Sequence, residues 1–280
     1  MPETRPIKLM LRAQPVTEGA GVRLNRVFGH AEAPMLDPFL MMDDFRSDTP
    51  EDYLKGFPWH PHRGIETITY VLKGDVEHGD SLGNTGTIFS GDIQWMTAGS
   101  GIVHQEMPKG DRDGAMHGFQ FWANLPAADK MCPPKYRDIT ADQVPQIQVQ
   151  DGVRVKIISG TCQGVNGPMD DIAVAPEFFD CEVPQGQTFV HETSPDHTAF
   201  VYVIGGQGTT CGTAVKNRDL VLYDRGNRLE ITAGHTPLRF LVLTGNPLNQ
   251  PVAWKGPIVM NTQEELKQAF EDYQNGTFIK

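Results

Sequence analysis

The sequence lacks most of the features that would place it in a ready class. It has no stretch of about 18 apolar residues, so nothing in it reads as a membrane-crossing helix. The opening residues, MPETRPIKLMLR, lack the apolar run of a secretory signal. Cysteine is scarce, with four in 280 residues. Cys132, Cys162, Cys181 and Cys211 form no C-x-x-C pair, which argues against a zinc knuckle, a thioredoxin-like site or a disulfide framework and points to a reducing, cytoplasmic compartment. Positive charge is thin: 24 Lys and Arg against 35 Asp and Glu give a formal net charge of -11. The deficit is even, with 13 basic against 18 acidic residues up to residue 135 and 11 against 17 beyond it. No basic half or tail is available for nucleic-acid phosphates or an anionic membrane. There is no G-x-G-x-x-G after a strand, no Walker A motif, and no serine or cysteine in a nucleophile context.

What is present is globular. Hydrophobic residues make up 39% and charged residues 21%, which excludes disorder as the main state. With 29 Gly and 21 Pro, turns are frequent. Short β-branched and aromatic segments recur between them, at 21–29, 65–74, 92–99, 118–125, 153–160, 198–206, 219–224 and 237–245. This pattern predicts an all-β sandwich or barrel. One segment is helical in period: 261–276 places Leu266, Ala269, Phe270 and Tyr273 on one face, with Thr262 and Glu265 as a capping box and Gly276 as the stop. A weak repeat links TYVLKG (69–74) to VYVIGG (201–206) and MTAG (96–99) to ITAG (231–234), which suggests a duplicated β-unit. The Pro-rich polar stretch 131–146 divides the two, giving expected units 1–135 and 136–280.

Chemistry concentrates in two short stretches. WHPHRGIE carries His60 and His62, and GIVHQEMP carries His104 and Glu106. On a strand, i and i+2 share one face, about 6–7 Å apart. Two such strands facing each other deliver three imidazoles and a carboxylate to one point. That set suits iron, manganese, nickel, copper or zinc. Pro61 cannot donate to a ladder and places the first pair at a strand start or edge. Glu66 shares parity with His60 and His62 and rivals Glu106 as the carboxylate.

The pattern H-x-H-x3-E, a glycine-rich turn and a later histidine resembles the two cupin motifs. The match is divergent: Leu54 stands for the first glycine, Gly74 comes one residue late, Thr97 replaces a proline, His104 comes two residues late, and Pro108 replaces an asparagine. The divergence itself resembles one family. DPFLMMDDF, FPWHPHRGIETITYVLKG, GDIQWMTAGSGIVHQEMP, HGFQFWANLP and GPIVMNTQEEL together look like pirin, over nearly the whole chain and most densely from Asp37 to Pro126. The resemblance implies a bicupin: two double-stranded β-helix (jelly-roll) barrels with a short C-terminal helix, a metal-bearing barrel over 1–135 and a metal-free one over 136–280. It implies one metal, usually iron(II), on His60, His62, His104 and Glu106, and so favours Glu106 over Glu66.

Pirins are similar to quercetin 2,3-dioxygenases, so the implied activity is oxygenolytic opening of the heterocyclic ring of a quercetin-like flavonol, with dioxygen as co-substrate. In that scheme Glu106 is also the catalytic proton acceptor. Phe57, Trp59, Met96 and Phe119 are candidates for the pocket wall, although ordinary barrel core is the commoner role for any one of them. The alternative implied by the resemblance is an iron-dependent regulatory binding protein that modulates a transcription factor or a metabolic enzyme without turnover. Counting along the repeat places Glu192, Ser194, Arg239 and Leu241 where the first unit has its ligands, and turns His191 and His197 away. Asp43 and Asp44 read as a polar loop, His30 and His78 as solvated turns, and His117 as a structural histidine. A monomer is expected, because a bicupin carries both barrels in one chain.

Overall fold

A computed structural model describes residues 3–170 and 172–280. Its first twelve strands are β1 (Ile7–Arg12), β2 (Gln14–Glu18), β3 (Val22–Phe28), β4 (Phe39–Ser47), β5 (Phe57–His62), β6 (Ile65–Lys73), β7 (Asp75–Asp80), β8 (Thr85–Ile88), β9 (Ile93–Thr97), β10 (Ile102–Lys109), β11 (Met116–Asn124) and β12 (Lys135–Ile139). The earlier barrel combines a seven-stranded sheet, in the order β12-β9-β6-β11-β4-β3-β2, with a four-stranded one, β5-β10-β7-β8. The ladders of both sheets are antiparallel. β10 alternates in burial, with Ile102, His104, Glu106 and Pro108 inward, as a strand with one face on a core must. β6 to β7 turns at Gly74, where φ is +75° and an added Cβ would meet the Lys109 carbonyl at 2.5 Å, so only glycine fits.

The later barrel repeats the plan. Its seven-stranded sheet runs β1, Asp219–Tyr223, Thr198–Gly205, Leu238–Gly245, Glu177–Val183, Arg154–Ser159, Gln146–Gln148, and its four-stranded sheet runs Thr188–Glu192, Arg228–Ala233, Gln207–Thr210, Thr213–Lys216. Its interior is closed by apolar side chains, among them Phe179, Phe189, Val201, Leu229, Ile231 and Phe240.

The compact units are not a simple cut at 135/136. One comprises residues 1–13, 35–38 and 142–247; the other comprises 14–34, 39–141 and 248–280. β12 stays with the earlier barrel, and β1 takes the matching edge position in the later one, pairing with Asp219–Tyr223. The tail after residue 247, helix included, belongs to the earlier unit.

The helix runs Gln263–Gln274, with the Thr262–Glu265 capping box formed in both directions. Leu266 and Ala269 are buried and Phe270 is partly so, whereas Tyr273, expected on the same stripe, is exposed. Among the described residues no helix is long and apolar enough to cross a membrane.

Candidate metal centre

β5 and β10 are antiparallel neighbours, and their register sets His60 directly opposite His104. His60, His62 and His104 each bring a ring nitrogen within 4.8 Å of the others. The ring hydrogen bonds fix what those nitrogens are. His60 Nδ1 lies 2.9 Å from the Pro58 carbonyl, and His62 Nδ1 lies 3.1 Å from the Pro257 carbonyl. A carbonyl oxygen only accepts, so each Nδ1 carries the proton and each Nε2 a lone pair. Those two Nε2 atoms are 3.0 Å apart. Among the described residues, neither nitrogen of His104 has a hydrogen-bond partner.

Burial holds the His60 imidazole below its ordinary range, the Pro58 bond opposing it, and holds His62 and His104 well below it. Protonation is therefore a poor remedy for converging lone pairs. A cation shared by the three rings relieves all of it, so the donor set fits a borderline divalent metal.

Glu106, two residues on, lines the same cavity but stands outside the group of three mutually close histidines. Burial pushes its carboxyl up to about 7, against the opposing hydrogen bond from Thr69. The Thr69 hydroxyl lies 2.8 Å from Glu106 Oε1 and 2.8 Å from Gln120 Oε1. One hydroxyl proton cannot serve two acceptors, so a protonated Glu106 or the Gln120 amide must donate in return. Glu66 is elsewhere. It opens β6 on the face opposite Thr69, accepts from Thr97 Oγ1 at 2.7 Å and sits 3.9 Å from Arg137.

His60 and His62 open onto a cavity of about 680 Å³. Leu24, Met41, Phe45, Phe57 and Val76 supply apolar wall, while Arg26, Asp43, Thr69 and Gln120 supply polar points. Of the four expected wall residues, only Phe57 lines the cavity. Trp59 alternates with His60 and His62, so it points outward and is 53% exposed. Phe119 lies on the outer face of β11 against Tyr70 and Phe121. Met96 is sealed in a core cluster with Leu40, Ile65 and Ile102.

Several cavity residues carry no local signal in the sequence. Trp122 meets His62 edge-on at 5.1 Å, and Trp254 lies 6.0 Å from Trp122 and 5.0 Å from the His30 ring. His30 is therefore a wall residue, not only a solvated turn. Asp43 and Asp44 are buried on β4, and Asp43 holds Arg26 at 2.9 and 2.8 Å. His78 is buried on β7, stacked on Tyr136 at 5.8 Å. His117 sits 3.7 Å from Asp44 and outside the cavity lining.

The later barrel can be compared by strand register. TYVLKG and VYVIGG do lie on matching strands, but MTAG ends β9 in a seven-stranded sheet, whereas ITAG begins in Arg228–Ala233 of a four-stranded one. The two segments therefore lie on unlike strands, and Glu192, Ser194, Arg239 and Leu241 are not the counterparts of His60, His62, His104 and Glu106. His78 and Thr210, each four residues past the shared glycine, face Glu106 and Ile231 across their ladders. Opposite His60 is His104; opposite His191 is Leu229. Ile231 thus stands for Glu106, Leu229 for His104 and His191 for His60. His191 points inward, against Phe179 and Phe189 and 3.1 Å from Glu177.

Residues 21–123 match the family model described as Pirin, and residues 178–279 match the pirin C-terminal cupin domain. The chain belongs to the pirin family. It is 46% identical over 275 residues to a pirin-like protein of Caulobacter vibrioides, covering 98% of this chain and 99% of that one. To a pirin-like protein of Solanum lycopersicum it is 39% identical, over 96% and 90% of the two chains. A crystal structure titled quercetin 2,3-dioxygenase from Acinetobacter baumannii superposes with a TM-score of 0.90 at 31% identity, covering 99% of both chains. The two barrels are therefore the two cupin domains of a pirin, a bicupin fold with a short C-terminal helix.

Proposed function

We propose that this pirin is a metal-dependent dioxygenase that opens the heterocyclic ring of quercetin-like flavonols, with iron(II) as the metal on His60, His62, His104 and Glu106. The observation that carries it is the convergence of three proton-poor imidazoles, His62 and His104 buried and His60 partly so, on one point beside an aromatic-walled cavity. The likeness to the Acinetobacter baumannii structure supports the substrate class. A divalent transition metal bound there would supply Lewis acidity and electron transfer between a flavonol anion and dioxygen. The same four ligands would also accept manganese, nickel, copper or zinc.

The remaining roles belong to side chains. Glu106, in its ionised form, takes the proton of the flavonol 3-hydroxyl. Thr69 holds the carboxylate, and Gln120, bonded to the same hydroxyl, continues the polar path along the cavity lining. Trp122 and Trp254 offer faces to a planar ring system. Leu24, Phe45, Phe57 and Val76 keep water from the reacting centre.

The test is quercetin turnover by anaerobically purified, iron-loaded protein. The proposal expects dioxygen consumed and carbon monoxide released in proportion to flavonol lost. Stoichiometric iron with neither gas changing would overturn it in favour of the regulatory binding protein.

A further inference from the structure

The tail that follows residue 247 does more than cover the earlier barrel. Ala253–Lys255 and Ile258–Met260 form an antiparallel pair joined by the two-residue turn Gly256–Pro257. This pair is fastened along the segment that follows His62. The Val259 amide donates to the Arg63 carbonyl at 3.1 Å. Lys130 Nζ donates to the Gly64 carbonyl at 2.7 Å and to the Val259 carbonyl at 3.0 Å. The Arg63 guanidinium reaches Asp272 at 2.8 Å and the Phe278 carbonyl at 2.9 Å, and lies 4.2 Å from the Phe278 ring centroid. Backbone approach is so close that a Cβ on Gly64 would sit 2.0 Å from the Val259 carbonyl. Trp254 Nε1 donates to the Gly256 carbonyl at 2.8 Å and braces the turn. Held this way, the turn delivers the Pro257 carbonyl to His62 Nδ1.

We propose that the Gly256–Pro257 turn is a positioning element of the metal centre: its carbonyl selects the His62 tautomer and ring orientation that aim Nε2 at His60 and His104. The inference rests on the metal-centre reading above and extends it to a segment remote in sequence. A hydrogen-bond acceptor on the far nitrogen of a ligating histidine fixes the tautomer and raises ligand basicity. Its loss typically weakens metal binding by about 10–100-fold.

The experiment replaces the turn by Asn-Gly, as Gly256→Asn with Pro257→Gly. That sequence favours a two-residue hairpin of different dihedral angles and so re-aims the carbonyl. Metal affinity is measured by chelator competition on the full chain with iron(II) and zinc(II). The thermal midpoint of the metal-free protein serves as the folding control, and the His62 ring nitrogens are followed by 15N NMR. The expected result is a 10–100-fold loss of affinity at an unchanged metal-free midpoint, with the His62 Nδ1 proton signal lost or averaged. Unchanged affinity in a folded variant whose Nδ1 signal has moved would overturn the proposal, as would an Nδ1 of wild-type His62 that carries no proton. Failure of the wild-type protein to bind either metal would instead overturn the metal-centre reading, a result the tautomer signal reports separately.

Discussion

His60 Nε2 and His62 Nε2 lie 3.0 Å apart while the Nδ1 of each ring is given to a backbone carbonyl. Two lone pairs facing each other in a buried site are tolerated when a cation stands between them. The arrangement follows from a strand that carries both rings on one face and from two acceptors, Pro58 and Pro257, that leave the rings no other tautomer.

Metal loading should therefore stabilise the protein. A ligand that binds only the native state, at a free concentration a hundredfold above its Kd, adds about 2.7 kcal/mol. Differential scanning calorimetry with iron(II) or zinc(II) under anaerobic conditions should show an upward shift in wild type and none in His62→Ala. An equal shift in that variant would place the metal elsewhere.

The later barrel should lose stability in alkali. Burial opposes charge on His191, but its hydrogen bonds to Cys162 and Glu177 and their charge outweigh that, and the imidazole is raised to about 9 from an ordinary 6.5. A group raised in the folded state contributes fully below its unfolded value and loses that contribution as pH rises through the folded one. The window is thus about pH 6.5 to 9, and the size about 3 kcal/mol. Urea unfolding of wild type and His191→Gln at pH 6 and pH 10 should show a large difference at the first and a small one at the second. A difference independent of pH would contradict the assignment.

Gly64→Ala should be severe. φ there is +77°, and the new Cβ would meet the Val259 carbonyl at 2.0 Å. Strain and displacement of the tail should cost about 2–4 kcal/mol. Gly83→Ala, with φ of +87° and nothing within 4 Å, should cost about 1–2 kcal/mol. Equal midpoints for the two variants in urea would refute the close approach.

Trp59 and Phe57 should part company although they stand only two residues apart on β5. Trp59→Ala removes an outward side chain and should change stability by less than about 0.5 kcal/mol and leave flavonol KM near wild type. Phe57→Ala opens the cavity wall and should raise KM more than it lowers kcat. Steady-state kinetics decide, and a larger KM effect from Trp59→Ala would mean the cavity is entered from the other face.

The clustered histidines were legible in the sequence because strand parity and i, i+2 spacing are local. The helix was legible for the same reason: Thr262 and Glu265 cap it within one turn. What stayed hidden depends on pairing between distant segments. Trp59, Met96 and Phe119 are apolar and near the motifs, but side-chain direction separates them from Phe57. Trp254 and Pro257 lie about 150 residues past Glu106, and no local pattern ties them to His62. Asp43 looked like loop because its partner Arg26 sits on another strand. The repeat misled at ITAG because two turn-ending segments share residues while occupying different sheets.

The most direct test of the central claim compares wild type with His104→Leu, the residue that Leu229 presents at the matching place in the later barrel. Leucine should keep the fold and remove one imidazole from the cluster. Metal content and carbon monoxide release are measured on the same iron-loaded samples. The account predicts near-stoichiometric metal and release of the gas from wild type, and neither from a variant that remains folded. A folded His104→Leu protein that holds its metal and still consumes quercetin would contradict it.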